Sequence, residues 1–281
     1  MNKKYILIPI IAFAATLFDS YAQIHSTLGY HNPASRVEIG KAKISVTYDY
    51  KYISDTTGKT YRDDKFCLQI SDNGISRFYS LNAAKIDSIF YSELKKGKSV
   101  VAPRQWMRKN DAAAHSDLFI NYPSKNKLTY ILKVMDNTYC YSENTPEMSW
   151  VFSNATKVIL GYECKQANVT FRGNSFTVWF TESLPYRMGP WKFSGAPGLI
   201  LEVYDTKKYF HFIATSLSRA NNAIYYYIHD YKYVTRDDIL EIERQMYADP
   251  IGLIEKNSKG KIIGEKPTKM TLPYIPSLEK Q

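Results

Sequence analysis

A chain of 281 residues that is 44% hydrophobic and 23% charged carries enough apolar material for a buried core, which excludes a chain that stays unfolded. Lys and Arg outnumber Asp and Glu by 37 to 27, a formal net charge of +10, yet these charges are dispersed without Arg-rich blocks, which argues against a nucleic-acid partner. The basic charge fits a solvated surface with no partner, the favoured reading, or one that attracts anionic lipid or lipopolysaccharide headgroups; past the first 22 residues no run approaches the roughly 18 apolar residues of a membrane-spanning helix, so no transmembrane anchor is expected.

Residues 1–22 have the three zones of a secretory signal: Lys3 and Lys4, an apolar run from Tyr5 to Phe18, and Ser20-Tyr21-Ala22 as a small-x-small cleavage site. The expected mature chain begins at Gln23 and is periplasmic or secreted. No Cys follows the cleavage site, so lipoprotein anchoring is not indicated. Residues 23–281 are expected to form one β-rich domain. His25 and His31 are the one histidine pair with ligand-like proximity, but a pair fixes too little geometry for a metal site, and neither a metal nor another cofactor is expected.

Strand signals dominate from there. Ile44, Val46, Tyr48, Tyr50 and Tyr52 alternate with polar residues, the pattern of a half-buried strand. Lys65 to Ser71 and Ile75 to Ser80 flank the compact turn Asp72-Asn73-Gly74. Val169 to Phe171 and Phe176 to Phe180 flank residues 172–175 in the same way, and Leu199 to Tyr204 and Tyr209 to Leu217 flank residues 205–208. Consecutive hairpins imply an antiparallel meander of seven to ten strands, and 24 tyrosines with 13 phenylalanines suit broad pleated faces. The fold class expected is mainly β (α+β), a curved antiparallel sheet or half-barrel with two or three helices.

The first helix is expected over Ala83 to Lys96, capped by Asn82, with Ile86, Ile89, Phe90 and Leu94 on one stripe and Gly97 as its stop. A second starts at Thr235 and Asp238, with Ile239, Ile242 and Met246 as its stripe and Pro250 beyond its end. Residues 98–117 fit neither period. The tail after Lys256 reads as an exposed loop before a short docked end.

Catalytic signatures are sparse. Nucleophile elbows, H-E-x-x-H zinc sites, calcium loops and dinucleotide fingerprints are all missing from the sequence. Gly97-Lys98-Ser99 lacks the glycine-rich lead-in of a phosphate loop. Asp237, Asp238, Glu241 and Glu243 sit at a helix start, where acids complement the dipole. Glu182, Asp205 and His211 lie on strands that can bring them together as an acid/base group, though no spacing compels it. Tyr225-Tyr226-Tyr227 and Tyr231-Lys232-Tyr233 fit either a stacking platform or the interior face of a sheet. Cys67, Cys140 and Cys164 allow one bridge or three buried thiols, with no C-x-x-C spacing for redox or zinc chemistry.

The stretch from Gly189 to Leu201, G-P-W-K-F-S-G-A-P-G-L-I-L, places two Gly/Pro pairs directly before an apolar strand. Pro197 presets φ for a β-turn and Gly198 accepts the positive φ that a type II turn needs next. Two readings stand. One is a sharp sheet corner; the other makes Trp191, Phe193, Pro197 and Leu199 the lip of a binding site. Together with K-V-I-L-G-Y-E-C-K-Q-A and F-R-G-N-S-F-T-V-W-F-T, this segment resembles the GLPGLI family of secreted Bacteroidetes proteins, with Ala196 where the family usually has the Leu of its name. The likeness covers roughly residues 40 to 281 and is densest between Lys157 and Tyr204. A weaker, fold-level likeness is to the half-barrel of bacterial lipoprotein carriers.

The GLPGLI resemblance implies no assigned activity. The leading expectation is an exported non-enzymatic binding or accessory protein of the cell envelope, taking a hydrophobic or peptide ligand, and the resemblance adds an outer-membrane transporter or other envelope component as its partner; whether it is an enzyme is left open, with the balance against. Its binding segment would be Gly189, Pro190, Trp191, Phe193, Gly195, Pro197, Gly198, Leu199 and Ile200. The competing expectation is a secreted hydrolase with its site beside the Gly189–Gly198 loop.

Overall fold

The computed structural model describes residues 31–53, 61–97, 115–134, 137–249, 252–253 and 277–279. The expected signal segment, most of residues 98–117 and most of the tail after Lys256 lie outside these residues. The described chain is mainly β. It contains β1 (Arg36–Ile53), β2 (Tyr61–Ser71), β3 (Ser76–Ser80), helix α1 (Leu81–Lys95), β4 (Ser116–Ile120), β5 (Lys127–Val134) and β6 (Asn137–Asn144). There follow β7 (Val151–Ile159), β8 (Tyr162–Phe171), β9 (Asn174–Thr181), β10 (Leu199–Asp205), β11 (Phe210–Arg219), β12 (Ala223–Tyr227), β13 (Tyr231–Tyr233) and helix α2 (Arg236–Ala248).

These strands make one large open sheet in the order β13-β6-β5-β4-β3-β2-β1-β11-β10-β9-β8-β7. Two meanders, β1 to β6 and β7 to β11, meet where β1 pairs β11. The three hairpins expected from sequence are all formed, but the sheet has 13 strands, more than the seven to ten expected. The excess comes from strands whose periodicity is interrupted or short. β4 emerges at the end of the segment that fitted neither period, and β13 joins β6 in a parallel pairing that no hairpin signal announces.

The 18-residue β1 organises the whole. Its C-terminal part, Ile44 to Tyr52, pairs β11, while Arg36 to Lys41 pairs β12. Ile44, Val46 and Tyr48 enter the main core with Leu68, Phe78, Leu118, Phe176, Phe180, Phe193, Leu201 and Phe212. The opposite face is not all solvent: Phe119, Ile131 and Cys140 form a second cluster with Tyr122, Tyr226 and Tyr231. All three cysteines are buried free thiols, so of the two cysteine readings the structure takes the unbridged one.

The α1 cap is Ser80, whose hydroxyl accepts from Ala83 N–H at 3.1 Å, and not Asn82. Asn82 instead donates to Asp64 Oδ1 at 2.7 Å. The buried stripe of α1 is Ala83, Ile86 and Asp87, so an aspartate occupies the face on which an apolar residue was expected, and Leu94 is exposed. Helix α2 has the capping box expected from Thr235 and Asp238.

Candidate functional site

The Gly189–Leu201 segment is a corner packed into the main core. Trp191, Phe193, Ala196, Leu199 and Ile200 are all buried, as are Gly189, Pro190 and Gly198; Pro197 is exposed and Gly195 is half-buried. Phe193 stacks edge-on against Phe176 at 4.9 Å between centroids, and Trp191 lies 5.4 Å from Phe193. Tyr48, fully buried on β1, donates its hydroxyl to the Ile200 carbonyl at 2.6 Å. The aromatic side chains thus face inward and do not rim an opening.

Positive φ falls on Gly195, at +88°, and on Trp191, at +51°. Gly198 does not adopt it, contrary to the type II turn expectation. What requires glycine at 198 is close approach: a Cβ there would lie 1.9 Å from the Thr181 carbonyl oxygen. Inside the corner, Lys192 is fully buried; its ammonium donates to the Tyr141 hydroxyl at 2.6 Å and to the Glu279 carboxylate. Burial pulls the Lys192 ammonium below its ordinary range, partly offset by Glu279.

Glu182, Asp205 and His211 are not brought together as an acid/base group. Glu182 pairs with Lys165, Asp205 accepts from the Lys207 and Phe210 N–H groups at its own hairpin turn, and His211 sits 2.8 Å from Glu202, which also receives Lys157.

A buried polar cluster lies on the other face of the sheet, where α1, β3, β4 and the segment before β1 meet. Side-chain alternation puts Arg77 and Tyr79 of β3 and Asp117 of β4 on one face, with Tyr79 directly opposite Asp117 and Arg77 one diagonal step away. Arg77 Nε donates to Asp117 Oδ1 at 2.7 Å. His31, just before β1, lies between two carboxylates: its Nδ1 is 2.8 Å from Asp87 Oδ2 and its Nε2 is 3.3 Å from Asp117 Oδ2. His115 Nε2 approaches the same Asp87 oxygen at 3.1 Å, and the His31 backbone N–H donates to it at 2.9 Å. The side chains of His31, Arg77, Asp87, His115 and Asp117 are almost fully buried.

Burial alone would raise both aspartates. For Asp87 the attraction of His115 and His31 outweighs it, and for Asp117 that of Arg77 and His31 does, so both carboxyls are held well below the ordinary carboxylate range. Burial disfavours a charged His31, but Asp117 and Asp87 more than compensate and raise it.

A pocket of about 280 Å³ adjoins this cluster, lined by Gln69, Arg77, Tyr79, Ala84, Asn222, Ala223, Tyr225 and Tyr227. The Arg77 guanidinium lies 4.0 Å from the Tyr79 ring centroid and 5.1 Å from that of Tyr227. Its Nη2, and the Gln69 Oε1 on the neighbouring strand, are buried and hydrogen-bond no atom among the described residues. Tyr225 and Tyr227 belong to one of the tyrosine runs noted in the sequence, so that run divides: these two rings line a pocket, while Tyr226 packs in the second core cluster. His31 is also the member of the His25/His31 pair that the structure describes, and its partners are aspartates and His115. Sequence reasoning missed this cluster because His115 and Asp117 sit at the edge of an unreadable segment; the one available signal was Asp87 in an apolar helical stripe.

The sequence profile of one family, described as the N-glycanase peptide N-terminal domain, matches residues 90–243, more than half of the chain. The chain belongs to that family. The N-glycanase peptide N-terminal domain match spans the buried corner, His115 and Asp117, whereas His31, Arg77 and Asp87 precede it. No curated protein matches. Two solved structures of PNGF-II, in the C2 and P21 space groups, are similar to this chain at 16% identity, with TM-scores of 0.45 and 0.43. They cover 72% and 71% of this chain, which spans about a third (32%) of their length.

Proposed function

We propose that this chain is an exported, glycan-related binding or accessory protein of the cell envelope, and that its ligand site is the tyrosine-lined pocket beside Arg77. The observation that carries this reading is the pairing of aromatic walls, Tyr79, Tyr225 and Tyr227, with Arg77 and Gln69 in one pocket, where Arg77 Nη2 and Gln69 Oε1 hydrogen-bond no atom among the described residues. Aromatic faces cover the apolar C–H faces of a sugar ring, and convergent donors and acceptors fix its hydroxyls. A volume of about 280 Å³ is at the small end of ligand pockets, suited to one sugar ring at the end of a glycan. The N-glycanase name of the family supports a glycan as the ligand class. The secretory signal expected at residues 1–22 and the GLPGLI resemblance support export, and the same resemblance makes an outer-membrane transporter or another envelope component the candidate partner.

The test is calorimetric titration of the mature protein with released N-glycans and their monosaccharides. Binding that is lost in Tyr225→Ala, a half-buried residue whose truncation spares the core, is the expected result. No heat with any glycan at millimolar concentration, or unchanged affinity in Tyr225→Ala, overturns the reading. Release of glycan from a glycoprotein by the wild-type protein would favour the hydrolase alternative instead.

A further inference from the structure

We propose that His31 Nδ1, His115 Nε2 and Asp87 Oδ2 bind a divalent transition-metal ion, with zinc the best match to the donor set. Three donor atoms lie within 4.8 Å of one another, all on buried side chains. Both imidazoles converge on a single carboxylate oxygen, at 2.8 and 3.1 Å. Two imidazoles and a carboxylate form a borderline-soft N/N/O set, the three-ligand arrangement that leaves one position of a tetrahedral zinc for water or another donor.

The surroundings have the form that metal sites use to orient their ligands. Ligating histidines ordinarily present their other ring nitrogen to a carboxylate, and here His31 Nε2 faces Asp117 Oδ2 at 3.3 Å while Arg77 Nε fixes Asp117 at 2.7 Å. With the metal on Nδ1, a neutral His31 would carry its proton on Nε2, the nitrogen that faces Asp117. The His31 backbone N–H, 2.9 Å from Asp87 Oδ2, likewise sets the ligating carboxylate's orientation.

The three ligands come from the segment before β1, from α1 and from the residue preceding β4. An ion there ties three distant pieces of chain together, so its binding free energy adds to folding stability. Arg77 and Tyr227 join this site to the pocket: Arg77 holds Asp117, the Tyr227 ring lies 4.9 Å from the His31 ring, and both line the cavity. The metal proposal stands apart from the glycan reading, and each can fail without the other.

The experiment uses tag-free mature protein, stripped with EDTA and titrated with zinc chloride by competition calorimetry and with cobalt(II) by visible absorption. Uptake of one equivalent at micromolar concentration or below, with the d–d bands of a low-coordinate cobalt site and a rise in melting temperature, is expected. Asp87→Asn and His115→Gln should abolish uptake, and Asp117→Asn, which leaves the ligands in place, should weaken it 10- to 100-fold. A wild-type protein that is folded by circular dichroism yet takes up no zinc or cobalt overturns the proposal, as does full affinity in Asp87→Asn and His115→Gln. Should those two variants fail to fold, the wild-type titration and the Asp117→Asn shift decide. Glycan titration of stripped and zinc-loaded protein runs separately, so loss of one activity is not read as loss of the other.

Discussion

Lys192, buried in the corner, is ion-paired with Glu279, 87 residues further along the chain, and this contact ties residues 277–279 to the buried corner. Glu279 also receives Arg172 and Arg236, so three cations share one carboxylate, and Arg172 has Glu143 as a second partner. Burial alone would raise Glu279, but Lys192 and the hydrogen bonds of the two arginines outweigh it and hold it below its ordinary range.

Removing the two partners should therefore have unequal effects. Glu279→Gln strands a buried ammonium and should destabilise by roughly 3–5 kcal/mol, the cost of an uncompensated buried charge. Lys192→Met removes a desolvated cation while leaving Glu279 its two arginines, and should cost less than about 1.5 kcal/mol. Urea unfolding of both variants decides; a larger loss in Lys192→Met would show the pairing to be arranged differently.

Two glycines of the corner should respond for different reasons. Gly198→Ala drives a methyl into the Thr181 carbonyl, a backbone atom that cannot swing away, and should cost about 3 kcal/mol, at the upper end of overpacking penalties. Gly195→Ala meets only the Trp150 ring nitrogen at 3.6 Å, so it bears just the left-handed backbone penalty of roughly 1–2 kcal/mol. Equal unfolding midpoints for the two variants would contradict the close-approach account.

How far the sequence foretold this molecule depends on the range of the interaction. Hairpins closed by local turns were legible, as at Asp72-Asn73-Gly74, and so was the capping box at Thr235, because both are written within a few residues. The Gly/Pro segment announced a corner, but its glycine logic shifted: the carbonyl that excludes a side chain at Gly198 belongs to Thr181, on another strand. The polar cluster was not legible. Arg77 and Gln69 look like the wet face of a hairpin, and among the described residues α1, β12 and the segment before β1 come to lie against it. His31, Asp87 and His115 have no spacing in common, since three separate segments bring them together.

Stability should fall as pH rises from about 4 to about 7, and Asp64 is one cause. Burial on β2 raises its carboxyl to about 7, against the hydrogen bonds from Lys65 N–H, Ser80 and Asn82 that favour the ionised form. A carboxyl with a folded pKa above its unfolded one binds more protons in the native state between those two values, so the native state loses up to about 1.4 kcal/mol per pH unit across that window. Half-buried Glu243, raised to about 7 by desolvation and by Glu279, adds in the same direction. Asp64→Asn keeps an acceptor oxygen for Lys65 and Asn82 and removes the titration. Its stability profile between pH 4 and 7 should be flatter than that of the wild type and should exceed it at pH 8; parallel profiles would exclude Asp64 as a contributor.

Trp191 tests the corner from its strained side. Its ring is buried among Phe171, Phe193 and the Lys192 ammonium, which lies 5.1 Å from the ring centroid, so Trp191→Ala should cost roughly 3–5 kcal/mol through lost burial and a cavity. Its backbone, at φ +51°, is in the region that penalises any side chain. Glycine ordinarily destabilises relative to alanine, but here it relieves that penalty while leaving the same cavity. The expected order is inverted: Trp191→Gly should be at least as stable as Trp191→Ala, by up to about 1 kcal/mol. Neither variant should change glycan affinity measured on the folded fraction, because the pocket beside Arg77 shares no residue with the corner. Thermal unfolding and calorimetric titration of the pair measure the two effects separately. A Trp191→Ala protein that keeps wild-type stability but loses ligand would move the site from the pocket to the corner.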